Sequence, residues 1–584
     1  MEATQDLEEL LGAAKEEASE VARRHKQSVI ECRAKWNPTG RGPAYLVTHG
    51  KRWGRREFVK IEDVAESVVA TGISTRLGHT ADGLLECEGV VRDGAAIRLS
   101  PSPIPVAEAR VRWLEAAFAS APVINDAPWN QAAVAALLGR TGIGIQRAMG
   151  VSNTVLDIAS EHLNESQLSA LQRAATHDAF VWGPPGTGKS RVLAWIAATL
   201  IRAGRSVLLT APTNAAVDCL LERTRMLLDR ELAIGHGRAG YVAIRWAGGV
   251  RSTPDPATAG LPRLHAATLA RCLLEPTFAR TGLVDDVIVD EAGQAMLPDL
   301  LAAAACGTGH VVVGGDPFQL GPVVVARSAD AGRALRAQPF AGLPGGKVPA
   351  SMIASLEESY RLPKRAVEGL RSVSYANTAL RAATRQRREQ LVRTGVGEVT
   401  VIAPQAASGN GVPEGFTAGV LEWLLDQNAG AKPDPDVMVL APTHNDVRRI
   451  RSELKNRGEM LRVRQLSTIH AAQGGEAAIV LVDATRYQQG SPFLEGRRPM
   501  DEASRMWTVA LSRATHHVVL LVPPQLLQAR GRTWIERYLL WAAEEARVCT
   551  LDLNSRELAD VGPGFDAGLM SHPAGLLDWD AACS

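Results

Sequence analysis

Gly183-Pro184-Pro185-Gly186-Thr187-Gly188-Lys189-Ser190 fits the phosphate-loop pattern G-x-x-x-x-G-K-[ST]. Phe180-Val181-Trp182 before it reads as the end of an apolar strand, and Val192, Leu193, Ile196, Leu200 and Ile201 after it recur at helical spacing. Strand, loop and helix is the context that the pattern needs. The glycines let backbone N–H groups wrap a phosphate. The helix N-terminus adds a partial positive charge, and Lys189 adds a full one. Ser190 is expected to hold Mg²⁺, and Gly183, Pro184, Pro185, Gly186, Thr187, Gly188, Lys189 and Ser190 together to cradle a nucleoside triphosphate.

Outward from the loop, strand-like and helical stretches alternate from about 161 to 325. Ser206–Ala211, Val287–Asp290 and Val311–Gly315 are continuous apolar runs of the kind found in parallel sheets covered on both faces. A second alternation runs from about 356 to 545 through Val437–Leu440, Ala478–Val482 and Val518–Val522. The pattern predicts an α/β chain with two tandem parallel-sheet domains, 161–350 and 351–545, and a cleft between them. Ahead of them lie a predicted helix over 1–35, with Leu7, Leu10, Leu11, Ala14, Ala18 and Val21 on one stripe, and short strand-like runs over 36–106 that suggest a small β-barrel. A helical stalk is expected over 107–160. Residues 546–584 read as an acidic, flexible tail.

Composition narrows the function class only a little. The 584 residues are enough for roughly three to four domains. With 46% hydrophobic and 22% charged residues, the chain is that of an ordinary globular protein. The net charge of +1 neither favours nor excludes nucleic acid, because a strand needs a local basic groove and not a basic total. The seven cysteines form no C-x-x-C pair, which argues against a zinc ribbon or iron–sulfur cluster and suits a reducing cytoplasm. No apolar run reaches ~18 residues, so no membrane span is expected.

Four further words give the loop its chemistry. Val287-Ile288-Val289-Asp290-Glu291-Ala292-Gly293-Gln294 places two carboxylates at the end of a buried strand, where ligands bind in such sheets. Asp290 suits Mg²⁺, and Glu291 suits a base for the attacking water. Gly315-Asp316-Pro317-Phe318-Gln319 offers Gln319 as a contact for the γ-phosphate. Arg361, in Ser359-Tyr360-Arg361, and Arg513, in Val509-Ala510-Leu511-Ser512-Arg513-Ala514, offer cations for phosphoryl transfer. Gln167 carries an amide that can read both a donor and an acceptor on adenine.

These words, in this order over about 161–545, resemble the superfamily 1 helicases, in particular the 5′-to-3′ branch that includes the nonsense-mediated decay helicase and the immunoglobulin mu-binding protein helicase. The resemblance implies RecA-like domains, ATP and Mg²⁺ as ligands, and movement along single-stranded DNA or RNA. It implies that Gln167 reads adenine, that Tyr360 stacks on it, that Arg361 and Arg513 act as arginine fingers across the cleft, and that Glu476 couples nucleotide to strand. The strand would cross Pro212, Thr213, Asn214 and Thr268 in the first domain, and Thr443, Ser467, Thr468 and His470 in the second. Hydroxyls and backbone N–H groups grip phosphates without reading bases.

The chain also departs from its relatives. Only about 50 residues separate Asn214 from Thr268, where relatives often insert a helical subdomain. Gly475 stands where many carry a longer side chain, and His470 is closer to the RecD group of the same branch. A small-molecule kinase would have no use for Tyr360, Arg361 and Arg513. A nucleotide-gated clamp that binds a strand without separating it would use the same words.

Overall fold

In the computed structural model the described residues are 2–25, 30–36, 45–49, 68–71, 77–79, 85–87, 96–101, 104–120, 137, 153–174, 177–232, 240–246, 260–275, 278, 283–337, 339, 352–383, 397–405, 412–427, 436–472, 474–487, 495–498, 500–528 and 531–561. They divide into two compact units. The first comprises 1–181, 190–315 and 322–354, and the second 182–189, 316–321 and 355–584.

The first unit opens with helix α1 (Glu2–His25). Its apolar stripe buries Leu7, Leu10, Ala13 and Ala14 in a core shared with Leu114, Phe180, Leu208 and Val287. The predicted helix over 1–35 is too long. Strand β1 (Ile30–Trp36) follows instead, because Ile30-Glu31-Cys32-Arg33-Ala34-Lys35-Trp36 alternates apolar and charged residues with the period of a strand. It pairs antiparallel with β2 (Tyr45–His49) and with a strand at Ala96–Pro101, which in turn pairs with β3 (Val68–Thr71). A two-stranded ladder, β4 (Leu77–His79) and β5 (Leu85–Cys87), lies outside that sheet, and the Ala96–Pro101 strand is β6. Phe58-Val59-Lys60-Ile61, one of the strand-like runs of the stretch expected to form a small β-barrel, falls outside the described residues. Helix α2 (Ile104–Ser120) is held to Asp299 by a buried Arg110 fork, with Nε–Oδ1 at 2.6 Å.

The larger sheet of this unit has seven strands, in the order β13 (Ile353–Ser355), β7 (Ala179–Trp182), β12 (Val311–Gly315), β11 (Asp286–Val289), β8 (Val207–Ala211), β10 (Arg263–Thr268), β9 (Val242–Trp246). From β12 to β9 the pairings are parallel. Strands β7, β8, β11 and β12 are almost wholly buried, which explains their unbroken apolar runs.

After a two-stranded ladder, β14 (Glu358–Ser359) and β15 (Arg381–Ala382), the second unit repeats the plan, in the order β18 (Gln465–Thr468), β17 (Val437–Ala441), β19 (Ala477–Asp483), β20 (Ala514–Leu521), β16 (Val399–Pro404), β21 (Arg547–Asp552), β22 (Glu557–Asp560). All of its pairings are parallel except the last, a hairpin. The hairpin corrects the expectation of a flexible tail from 546. Arg547-Val548-Cys549-Thr550-Leu551-Asp552 buries Val548, Cys549 and Leu551 as it extends the sheet, and Arg556 ties the turn to Glu422 and Asp426 at 2.6 and 2.7 Å. Both large sheets bear out the α/β, tandem parallel-sheet expectation. Among the described residues, no helix is long and apolar enough to cross a membrane.

Candidate nucleotide and strand-binding sites

Strand β7 ends at Trp182, and a 14-residue helix starts at Lys189, so the intervening loop is the strand-to-helix turn that its sequence requires. Gly186 and Gly188 have φ of 76° and 82°, where a side chain is strained. A Cβ on Gly183 would stand 2.7 Å from Lys189 Cβ. Thr187 closes the loop on Pro184 O through its backbone N–H at 3.2 Å and its hydroxyl at 2.8 Å. Lys189 is buried at its end.

The same unit brings the Ser359-Tyr360-Arg361 word onto this loop. Ser359 Oγ donates to Pro185 O at 2.8 Å, and the Tyr360 N–H donates to Gly186 O, also at 2.8 Å. The approach is close enough that a Cβ on Gly186 would lie 2.5 Å from Arg361 Cβ. Arg361 Nε bonds Glu476 Oε2 at 2.7 Å, and Tyr360 donates its hydroxyl to Glu358 at 3.1 Å. Arg513 donates to Gln319 Oε1 at 3.1 Å and to Val509 O at 3.0 Å. Lys189 and Gln319 therefore share a unit with Tyr360, Arg361, Glu476 and Arg513.

Sequence reading missed Asp316. It is buried and accepts from Trp182 Nε1, Phe318 N, Gln319 Nε2 and Tyr375 Oη at 3.2, 3.1, 2.8 and 2.7 Å. Burial pushes its carboxyl above the ordinary range, against those four hydrogen bonds, which favour the charge. Asp316 fixes Gln319, and Gln319 meets Arg513. The signal in the sequence was an acidic residue directly after an apolar strand, hidden in what reads as a Gly-Pro turn.

In the first unit, Ser190 Oγ donates to Asp290 Oδ2 at 2.5 Å. Asp290 Oδ1 accepts the Glu291 N–H at 2.7 Å, and its own N–H is fixed to Thr210 O. A hydroxyl and a carboxylate in contact fit a hard divalent cation that keeps most of its waters. Glu291 sits at φ 54°, ψ 35°, a left-handed conformation that is uncommon for a residue with a side chain. Its Oε2 accepts from Gln294 Nε2 at 2.9 Å, which explains the glutamine of the Asp-Glu word. Gln167 is buried in a reciprocal cap. Its N–H donates to Asn164 Oδ1 at 2.9 Å, and its Oε1 accepts the Asn164 N–H at 3.2 Å. The cap therefore engages the amide oxygen, one of the two groups that the adenine reading uses.

The strand candidates form two similar corners. Ala211-Pro212-Thr213-Asn214 ends β8, and Thr213 Oγ1 caps the next helix (Asn214–Met226) by accepting from Ala216 N. Ala441-Pro442-Thr443-His444 ends β17, and Thr443 caps its helix (His444–Asn456) through Asp446 N. Thr268 stands opposite Ala211 and Thr468 opposite Ala441 in the parallel ladders. Thr213, Asn214, Thr443 and His470 are exposed, Pro212 and Ser467 half-buried. Thr268 and Thr468 are buried, each with its hydroxyl accepting a backbone N–H, of Arg271 and Ala471 respectively.

An AAA domain family matches residues 162–238 and 266–327, and the interval between those stretches contains β9. The DNA replication ATP-dependent helicase/nuclease DNA2 of Mus musculus is 26% identical over 403 residues, covering 62% of this chain and 37% of that protein. The regulator of nonsense transcripts 1 homolog of Neurospora crassa is 26% identical over 422 residues, with the same two coverages of 62% and 37%. The chain thus matches a little over a third of the length of these relatives. Among solved structures it is similar to an arterivirus nonstructural protein 10 helicase, at 14% identity and a TM-score of 0.39, over 86% of this chain and 78% of that one.

Proposed function

We propose that the chain is a member of the superfamily 1 helicases, in the group of the regulator of nonsense transcripts 1, and that it hydrolyses ATP to move along single-stranded nucleic acid. The observation that carries the reading is the pair of hydrogen bonds from Ser359 and Tyr360 to Pro185 and Gly186. It ties the arginine-bearing word of the second alternation to the phosphate loop, an arrangement that suits a nucleotide-driven motor and has no use in a simple phosphate cradle.

In this reading the N–H groups of 183–189 and the Lys189 ammonium hold the β- and γ-phosphates. Ser190 and Asp290 hold Mg²⁺, which when bound neutralises phosphate oxygens. Glu291 takes the proton of a water whose oxygen attacks the γ-phosphorus as the bond to the β-phosphate oxygen breaks. Arg361 and Arg513 meet the charge of the transferring group. Gln319, held between Asp316 and Arg513, reports the γ-phosphate, and Tyr360 and Gln167 take the adenine. The two threonine-capped corners hold the strand, 5′-to-3′ movement being what the family implies. Free thiols at Cys219, Cys272, Cys306 and Cys549 suit a reducing cytoplasm.

The test is ATP turnover with and without DNA or RNA single strands. Turnover should rise with strands and be abolished by Lys189→Ala and Glu291→Gln. A rate indifferent to both strands would overturn the motor reading. Strand stimulation without separation of a tailed duplex would assign a clamp or a bare translocase.

A further inference from the structure

The helix His444–Asn456 leaves the Thr443 corner carrying two kinds of basic residue. Arg449 is paired with Glu453 and Asp483 at 2.7 and 2.6 Å, and Arg457, just past the helix end, with Glu422 at 2.8 Å. Arg448, Arg451 and Lys455 are different. All three are exposed, and among the described residues their side chains meet no carboxylate. With His444 they stand at i, i+4, i+7 and i+11, within about 60° of one another around the helix. The stripe is about 16 Å long and begins at the residue next to Thr443. Like charges at such spacings destabilise a helix, a cost that a polyanion laid along them would offset.

The corner of the first unit shows that such a stripe is no by-product of the motif. Ala211-Pro212-Thr213 and Ala441-Pro442-Thr443 are the same word, and both threonines cap the helix that follows. Val217, Leu220 and Thr224 are buried in the first helix, and Val447, Ile450 and Leu454 are buried at the same steps of the second. The faces therefore correspond. Where the second helix has Arg448, Arg451 and Lys455, the first has Asp218, Leu221 and Arg225, whose charges cancel. We propose that Arg448, Arg451 and Lys455 form a further strand-binding surface, a ridge along which the phosphates of a single strand run on from the Thr443 corner. This rests on the strand-binding function proposed above and adds where the strand goes beyond that corner.

The test is the affinity of the full chain for a fluorescently labelled oligothymidylate strand, measured by anisotropy over a range of salt. Glutamine has nearly the helix propensity of arginine and lysine, so substitutions to it retain the helix. Arg448→Gln, Arg451→Gln and Lys455→Gln should each weaken binding about fivefold at about 0.1 M salt, and each should lower the slope of log affinity against log salt by about 0.7. Combined, they should lower it by about 2. Arg451→Lys keeps the charge and should keep the slope of the wild type.

Arg371→Gln separates a local contact from the effect of net charge. Arg371 is an equally exposed arginine, on the helix Lys364–Val373 of the same unit, and its removal should leave the slope unchanged. An equal fall in Arg371→Gln overturns the proposal, because the strand then senses only the total charge. Unchanged slopes in the three ridge variants also overturn it and leave the stripe a solvated face. Weaker binding of a tailed duplex, with the bare strand bound as before, would give the stripe to paired nucleic acid and likewise overturn it. A wild-type chain that binds no strand would bring down the proposed function itself, a result distinct from any of these.

Discussion

Asp316 collects four donors from three parts of the chain: Trp182 before the phosphate loop, Phe318 and Gln319 beside it, and Tyr375 beyond. Removing the carboxylate strands buried donors, each worth about 1–3 kcal/mol if left unmade. Asp316→Ala should therefore lower the unfolding free energy by roughly 3 kcal/mol in denaturant titration. ATP turnover should fall with it, since Gln319 loses its anchor. Gly186→Ala acts more locally. At φ 76°, with Arg361 Cβ 2.5 Å from the new methyl, it should weaken nucleotide binding by at least about tenfold, or 1.4 kcal/mol, in equilibrium titration. Gly186 was legible from sequence because a phosphate loop is a local word. Asp316 was not, because its partners lie as far as 134 positions away and only the fold assembles them.

At the scale of elements, α1 shows where periodicity succeeds and where it stops. The stripe through Leu7, Leu10 and Ala14 was readable and is buried. Glu17 and Glu20 are buried too, although their charge argued for solvent. Glu17 accepts the N–H groups of Val325 and Ala326 at 2.9 and 2.6 Å, and Glu16 those of Arg327 and Ser328, both at 2.7 Å. These carboxylates satisfy backbone donors at the entry to the helix Ala329–Leu335, an arrangement favoured by its dipole. Leu10→Ala should cost about 2–5 kcal/mol, as expected for a fully buried leucine. Glu17→Ala should cost about 1–3 kcal/mol, since it leaves two N–H groups without their acceptor. Thermal denaturation of the two variants checks both. The end of α1 and the start of β1 were misread because the change from a period of 3.6 to one of 2 occurs within a few residues.

At the scale of the whole molecule, stability should depend on acid through His265. Its Nδ1 accepts from Trp246 Nε1 at 3.0 Å, and burial, with Arg263 nearby, lowers its pKa from 6.5 to about 4. The folded value lies below the unfolded one, so the contribution of the neutral ring is complete above pH 6.5 and is lost as pH falls toward 4. The loss should approach ~3 kcal/mol at the acid end. His265→Gln should flatten that part of the stability profile in chemical denaturation between pH 7 and pH 4.

The hairpin of β21 and β22 bears on how the protein can be shortened. Sequence reading would cut after the helix that ends at Glu545, discarding what looked like a dispensable tail. Such a cut removes the partner of β16 and leaves Val399–Pro404, buried along its whole length, as the margin of the sheet. An open, apolar, uncharged strand is a template for other chains. The shortened protein should polymerise on standing, visible as rising light scattering, while a chain ending after residue 561 stays dispersed. Those fifteen or so residues are then the seal that keeps one molecule from continuing into the next.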